Sequence, residues 1–114
     1  MTNEKVILIT GGSGFIGASL AKRLSKKYKI ISLDRGEPNE KIPNVDYKFL
    51  DIASKEHVEC VLEGIQTKYG NYIQSVIHLA AFYSFSGKKS PKYQEITVEG
   101  TKTLLMGLNK LFTV

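Results

Sequence analysis

The glycine-rich segment at residues 10–17 is the part of the sequence whose residue types point most directly to chemistry. It reads Thr-Gly-Gly-Ser-Gly-Phe-Ile-Gly and satisfies both G-x-G-x-x-G and T-G-x-x-G-x-x-G. Glycines allow positive φ in such a turn, let a pyrophosphate approach the backbone, and let the next helix pack closely. Amide groups at the start of that helix then bind the anion. The predicted cofactor-binding residues of this segment are Gly11, Gly12, Ser13, Gly14, Phe15, Ile16 and Gly17.

An acidic residue follows where a dinucleotide site needs one. Asp34 ends the second apolar run of the chain. Its carboxylate can accept hydrogen bonds from an adenosine ribose, and it would repel a 2′-phosphate. The acid therefore favours NAD over NADP, although the adjacent cation Arg35 weakens that preference.

Three other interpretations of the glycine turn compete with this one. A P-loop would need a lysine at Ala18, so a kinase or NTPase is excluded. A turn that only connects a strand to a helix is disfavoured, because the flanking elements and the acid agree with ligand binding. A methyltransferase also combines a glycine turn with a ribose-binding acid, and this alternative stays open.

The elements that position these residues follow from the hydrophobic pattern. Short apolar runs alternate with helical periodicity, which is typical of βαβ units and of an α/β fold with a parallel sheet. The first helix is predicted to pack through Ile16, Leu20 and Leu24, and Ser54 is a predicted helix N-cap. The predicted strands are 6–9, 29–33, 45–50 and 73–79, and the predicted helices are 14–27, 54–69 and 91–111.

The last predicted helix is apolar on two sides. One stripe comprises Tyr93, Ile96, Gly100, Leu104, Leu108 and Leu111, and the second comprises Val98, Leu105 and Phe112. One stripe should cover the sheet, and the second has no predicted partner. An exposed strand at 73–79 would also be an unprotected sheet edge. We therefore predict self-association through strand 73–79, helix 91–111, or both.

Composition excludes several classes of protein. The chain has 114 residues, of which 42% are hydrophobic and 24% charged, so disordered, collagen-like and coiled-coil proteins are excluded. A single cysteine, Cys60, excludes a disulfide scaffold, and no apolar run is long enough to span a membrane. The net charge of +5 indicates a solvated basic surface. We expect a cytoplasmic location and neither nucleic-acid nor membrane partners.

Five segments in order resemble the extended short-chain dehydrogenase/reductase family, the NAD-dependent epimerase/dehydratases. They are the glycine turn, Asp34, Asp51-Ile52, the His-Leu-Ala-Ala segment at 78–81, and the Thr-Val-Glu-Gly-Thr segment at 97–101. The resemblance implies a Rossmann-like three-layer sandwich of strand order 3-2-1-4, with NAD as cofactor and NADP less favoured. His78 is expected to be a packed core residue, and Thr97 replaces the usual Asn. The further cofactor residues that it implies are Asp51, Ile52, Leu79, Ala80, Ala81 and Tyr83, with Phe82 and Phe85 nearby.

The catalytic residues that the resemblance implies are absent. No tyrosine is followed four positions later by a lysine, and the two histidines and one cysteine have no metal-ligand spacing. No catalytic or metal-binding residue is therefore predicted. We interpret residues 1–114 as one NAD(P)-binding half domain, truncated before strand five and inactive alone. The parent would be an epimerase, dehydratase or reductase of sugar-nucleotide-like substrates, and a free-standing NAD(P)-binding sensor is the alternative.

Overall fold

The computed structural model describes residues 5–81 and 90–114. Its strands are β1 (Val6–Thr10), β2 (Lys29–Asp34), β3 (Val45–Phe49) and β4 (Ser75–His78). Its helices are α1 (Phe15–Leu24), α2 (Lys55–Tyr69), a π-helix (Tyr93–Glu99) and α3 (Gly100–Leu111). The strands form one parallel sheet of order β3-β2-β1-β4, which confirms the predicted α/β fold and strand order.

Alternate residues of the central strand β1 face opposite layers of helices. Ile7 and Ile9 pack with Ala21 of α1, whereas Leu8 packs with Leu62 of α2 and with α3. This alternation follows from the two-residue period of a strand. Because both faces are covered, all five β1 residues are buried, and the apolar run shows no polar alternation. The result is a sandwich of three layers.

Helix α1 packs through small residues rather than through the predicted Ile16 face. Gly17 and Ala21 are buried, and Leu20 and Leu24 pack beside them. The prediction for Ile16 was wrong, since this side chain is 63% exposed. Ile16 precedes Gly17 by one residue, which places it about 100° away around the helix. The packed face is centred on Gly17, because α1 approaches the backbone of Gly11 and Gly12 too closely for any side chain at this position.

The predicted helix 91–111 is two structures in succession. The π-helix occupies its first part, where the Gly100 N–H donates to the carbonyl of Glu95, and α3 completes it. Leu104 and Leu108 are buried in the core as predicted, and α3 also packs beside α2. Phe112 was wrongly placed on an exposed stripe. It lies just beyond α3 in extended backbone and is buried in the core.

The sheet edge is also shorter than predicted. β4 covers 75–78 instead of 73–79, because the residues before it pair with the chain that follows α3. The Ile73 N–H donates to the Thr113 carbonyl at 2.9 Å, and the Thr113 N–H donates to the Asn71 carbonyl at 2.8 Å. The segment after α3 therefore runs parallel to the start of the β4 segment and partly covers this edge.

Asp46 connects the other edge strand, β3, to α2. Its Oδ2 atom accepts hydrogen bonds from Tyr69 Oη at 2.7 Å and from Lys68 Nζ at 3.4 Å, and Lys48 Nζ lies 3.8 Å away. Partial burial alone would raise the pKa of the Asp46 carboxyl. The hydrogen bond from Tyr69 and the two lysines outweigh burial, so this pKa lies below 3.8.

We expect Tyr69→Phe to lower the free energy of unfolding by about 1 kcal/mol at neutral pH, because a charged acceptor loses its best donor. The folded pKa of Asp46 is depressed, so this stabilisation is complete above 3.8 and is lost as pH falls through the folded pKa. Urea denaturation at neutral and at strongly acidic pH measures both effects. Tyr72→Phe is the control, since its hydroxyl contacts Gln74 on the exposed surface. Equal losses for the two variants would contradict the prediction.

Candidate functional site

The glycine turn connects β1 to α1 by a path that only glycine follows without strain. Gly11 has φ of 73°, in the left-handed region. Its N–H donates to the Leu33 carbonyl of β2 at 2.8 Å, so the turn is attached to the neighbouring strand. Gly14 then caps α1, and its carbonyl accepts the Ala18 N–H at 2.8 Å. The first amides of α1 have no partner within the helix and point towards the turn.

Two further glycines are required by close approach rather than by φ. A Cβ on Gly17 would lie 2.2 Å from the Gly11 carbonyl oxygen and 2.8 Å from Gly12 Cα. A Cβ on Gly12 would lie 2.0 Å from Ser32 Oγ. The turn therefore lies directly against α1 and β2, and the glycines keep its outer face open to a ligand.

Asp34 ends β2 beside this turn. Its Oδ2 accepts the Ser13 N–H at 2.9 Å, and its Oδ1 accepts the Gly36 N–H at 3.0 Å. These bonds orient the carboxylate. Each oxygen keeps acceptor capacity for a further hydroxyl, because a carboxylate offers about four lone-pair sites. A pair of ribose hydroxyls matches this acceptor set.

A cleft of about 510 Å³ lies at the carboxyl ends of the strands, beside the turn and Asp34. This is the position where ligands bind in open α/β sheets, since the chain connections on either side of β1 run in opposite directions. Eleven of the predicted residues line it: Gly11, Gly14, Phe15, Ile16, Gly17, Asp34, Arg35, Ile52, Leu79, Ala80 and Ala81. The exposure of Ile16 is explained by this position at the cleft.

Four predicted residues lie elsewhere or outside the description. Gly12 is a buried residue of the glycine turn and does not line the cleft. Ser13 borders a smaller polar pocket that Asp34 also lines. The Oδ1 atom of Asp51 accepts the Ala53 N–H at 3.1 Å, so this carboxylate forms a local turn ahead of α2. Tyr83, together with Phe82 and Phe85, lies outside the described residues.

Sequence reasoning missed three apolar residues of the cleft. Leu33 lies near the end of β2, Leu50 directly follows β3, and Ile96 lies on the π-helix. Position at the carboxyl end of a strand could have indicated the two leucines. Ile96 was assigned to the core stripe, and the sequence offers no signal for its place at the cleft.

Other kinds of site find no support in the described residues. Among residues 5–81 and 90–114, no group of three His, Cys, Asp or Glu side chains could hold a metal ion. Within the same ranges, no helix has the length and apolar character needed to cross a membrane. The donor set of the cleft, with the backbone amides of the glycine turn and the Asp34 carboxylate beside them, fits a dinucleotide.

Comparison with known proteins agrees with this geometry. Residues 7–112 match the family described as the NAD dependent epimerase/dehydratase family. A dTDP-D-glucose 4,6-dehydratase of Dictyostelium discoideum is 39% identical over 113 residues, covering 87% of this chain and 25% of that protein. A 3-beta-hydroxysteroid dehydrogenase of Mycolicibacterium neoaurum is 31% identical over 101 residues, covering 87% of this chain and 27% of that protein.

The fold is shared with solved dehydrogenases. Ligand-free aldohexose dehydrogenase of Thermoplasma acidophilum superposes with a TM-score of 0.81 at 21% identity, over 95% of this chain and 44% of that one. The chain thus spans about a quarter of the length of these two curated relatives and under half of this structure.

Proposed function

Because the chain belongs to the NAD-dependent epimerase/dehydratase family, we propose that it binds NAD in the cleft at the carboxyl ends of its strands. One observation carries this proposal: the open glycine turn and the oriented Asp34 carboxylate border a single cleft. Phosphate oxygens and ribose hydroxyls are the two parts of a dinucleotide that such groups recognise.

The proposed roles follow the order of groups along the cleft. The amides at the start of α1 bind the pyrophosphate, and Asp34 accepts the adenosine ribose hydroxyls, with Arg35 beside it. Ile52 contributes an apolar wall for the adenine. The backbone of residues 79–81 supports the nicotinamide half. When bound, NAD supplies a hydride acceptor, and this chain's residues hold and orient it.

We propose that the catalytic and substrate-binding groups belong to a longer enzyme of which this chain is the N-terminal NAD-binding half domain. The coverage of the relatives supports this, as does the absence of a Y-x-x-x-K motif from the sequence. A sugar-nucleotide-like substrate is proposed from the dTDP-D-glucose dehydratase relative. A coding sequence that continues beyond Val114 into a fifth strand and Y-x-x-x-K is expected. A stop codon there would instead favour a free-standing sensor.

We further propose a cytoplasmic location and self-association. The single cysteine supports the first proposal. Val98, Leu105 and Met106, which remain more than half exposed on the π-helix and α3, support the second, as does the edge position of β4. Light scattering at high micromolar concentration is expected to show a species larger than a monomer. A monomer at every concentration would contradict self-association.

Calorimetric titration of the chain with NAD, NADP and S-adenosylmethionine tests the binding proposal. We expect saturable binding of NAD, weaker binding of NADP because Asp34 repels a 2′-phosphate, and the weakest binding for S-adenosylmethionine, which has no pyrophosphate. Tighter binding of S-adenosylmethionine would favour a methyltransferase-like nucleotide binder. Absence of NAD binding at millimolar concentration would contradict the proposal for this chain.

A further inference from the structure

A chain of hydrogen bonds crosses the fold behind the cleft and passes through His78. His78 Nδ1 lies 2.5 Å from Thr10 Oγ1 of β1, and His78 Nε2 lies 2.8 Å from Thr101 Oγ1 of α3. Thr101 Oγ1 donates to the Thr97 carbonyl at 2.6 Å, at the junction of the π-helix and α3. The imidazole therefore joins the central strand to the last helix.

The direction of each bond in this chain can be deduced. Thr101 Oγ1 has one proton and gives it to Thr97, so towards His78 it can only accept. His78 Nε2 therefore carries the ring proton, and in a neutral imidazole Nδ1 must accept. It follows that the Thr10 hydroxyl donates to Nδ1. The network is satisfied with His78 as the neutral Nε2–H tautomer.

At its Thr10 end, this hydrogen-bond network reaches the backbone that lines the cleft. Thr10 Oγ1, which gives its proton to His78, accepts the Ala80 N–H at 3.1 Å and also the Leu79 N–H at 3.1 Å, a donor that it shares with the Thr10 backbone carbonyl at 3.0 Å. A Cβ on Gly11 would lie 3.0 Å from both Ala80 N and the Leu79 carbonyl carbon. The backbone at 79–80 is thus held directly against the glycine turn, and both border the cleft.

We infer that His78 is a positioning residue for the dinucleotide. In its neutral Nε2–H form it fixes the Thr10 hydroxyl, which in turn fixes the backbone of Leu79 and Ala80 against Gly11. The inference rests on the proposed function, because the wall that His78 holds is the proposed support of the nicotinamide half. It extends that function to a residue that touches no part of the cleft surface.

Protonation of His78 should break this arrangement. An imidazolium donates from both nitrogens, and Thr10 Oγ1 already accepts two amides, so it has no lone pair left for Nδ1–H. Burial lowers the pKa of His78 below 6.5, in agreement with a neutral ring. The groups facing the ring from β1 and α3 are the two threonine hydroxyls, and within the described residues no charged side chain contributes to this shift.

The first test needs no cofactor. Nitrogen-15 NMR of the imidazole rings should show His78 as the Nε2–H tautomer with a pKa below 6.5, and His57, the other histidine, serves as the internal reference. Protection of the Leu79 and Ala80 amides against exchange, taken relative to the intrinsic rate at each pH, should be high at neutral pH and fall as His78 becomes protonated. An Nδ1–H tautomer, a ring that titrates at 6.5 or above, or protection independent of pH would overturn the inference.

The second test uses NAD affinity. His78→Gln cannot present an acceptor at the Nδ1 position, and we expect about tenfold weaker binding because a partly buried hydrogen bond is lost. His78→Asn keeps an acceptor near that position and should retain more affinity, without the loss of affinity on acidification that wild type shows.

Thr101→Val should also weaken binding, Thr101→Ser should restore it, and Thr103→Val is the matched control on α3. If His78→Gln and wild type have the same pH profile of NAD affinity, the inference fails. If wild type does not bind NAD, the proposed function fails, and the NMR and exchange data still decide the role of His78.

Discussion

Gly17→Ala is expected to weaken NAD binding by about a hundredfold. The added Cβ would lie 2.2 Å from the Gly11 carbonyl oxygen and 2.8 Å from Gly12 Cα. Both neighbours are backbone atoms, so no side-chain rotation can relieve the overlap, and either α1 must withdraw or the turn must open. Loss of two amide hydrogen bonds to a charged pyrophosphate costs about 3 kcal/mol, which corresponds to this change in affinity.

The same substitution should lower the free energy of unfolding by about 1–3 kcal/mol, the usual cost of overpacking. Gly64→Ala is the matched control, because a Cβ at Gly64 on α2 meets no atom within 4 Å. It should stabilise the fold by about 0.5–1 kcal/mol through helix propensity and leave NAD affinity unchanged. Calorimetric titration and urea denaturation of the two variants measure both effects. A Gly17→Ala protein that binds NAD like wild type would contradict the proposed pyrophosphate site.

Asp34→Ala is the second substitution with a large expected effect. It removes the ribose acceptor and also the acceptor for the Ser13 and Gly36 amides. Hydrogen bonds to a charged group contribute about 1.5–3 kcal/mol each, so NAD affinity should fall by about tenfold to a hundredfold. NADP affinity should fall less or rise. The repulsion of a 2′-phosphate is lost, and Arg35, Lys41 and Lys48 line the polar pocket of about 170 Å³ beside Asp34.

Glu37→Gln is the control that distinguishes the loss of hydrogen bonds to the ribose from the loss of one negative charge near the cleft. Glu37 borders the same polar pocket, and its substitution also removes one negative charge. We expect NAD affinity within about twofold of wild type for this variant, since an exposed charge contributes little at physiological ionic strength. Parallel titrations with NAD and NADP at fixed salt make the comparison. If Asp34→Ala has the same ratio of NAD to NADP affinity as wild type, this carboxylate does not contact the adenosine ribose.

The local features of the fold were predictable because their causes are local. A fully apolar run such as Val6–Ile9 indicates a strand buried on both faces, and the glycine turn indicates a strand-to-helix connection with open backbone. The N-cap at Ser54 was likewise predictable, and its Oγ accepts the His57 N–H at 3.3 Å. In each case the physical requirement involves residues within a few positions of one another.

The errors arose where one element packs against another in a way that its own periodicity does not encode. Ile16 shares the helical spacing of Leu20 and Leu24, yet the contact between Gly17 and Gly11 rotates it out to the cleft. Phe112 continues the apolar stripe of α3, but the helix ends before it and the side chain enters the core. Periodicity describes one element at a time and cannot show where that element approaches its neighbours closely.

By itself, the sequence determined the α/β class, the position of the glycine turn, and the acid that borders the proposed ribose site, because backbone freedom and strand burial are encoded by adjacent residues. Only the tertiary structure decided that the backbone of Leu79 and Ala80 lines the cleft, and which side chains hold that backbone in place. Thr10, His78 and Thr101 become neighbours when β4 pairs with β1 and α3 packs on the sheet. Their hydrogen bonds fix the tautomer of one imidazole, and that dependence between distant residues has no periodic signature in the chain.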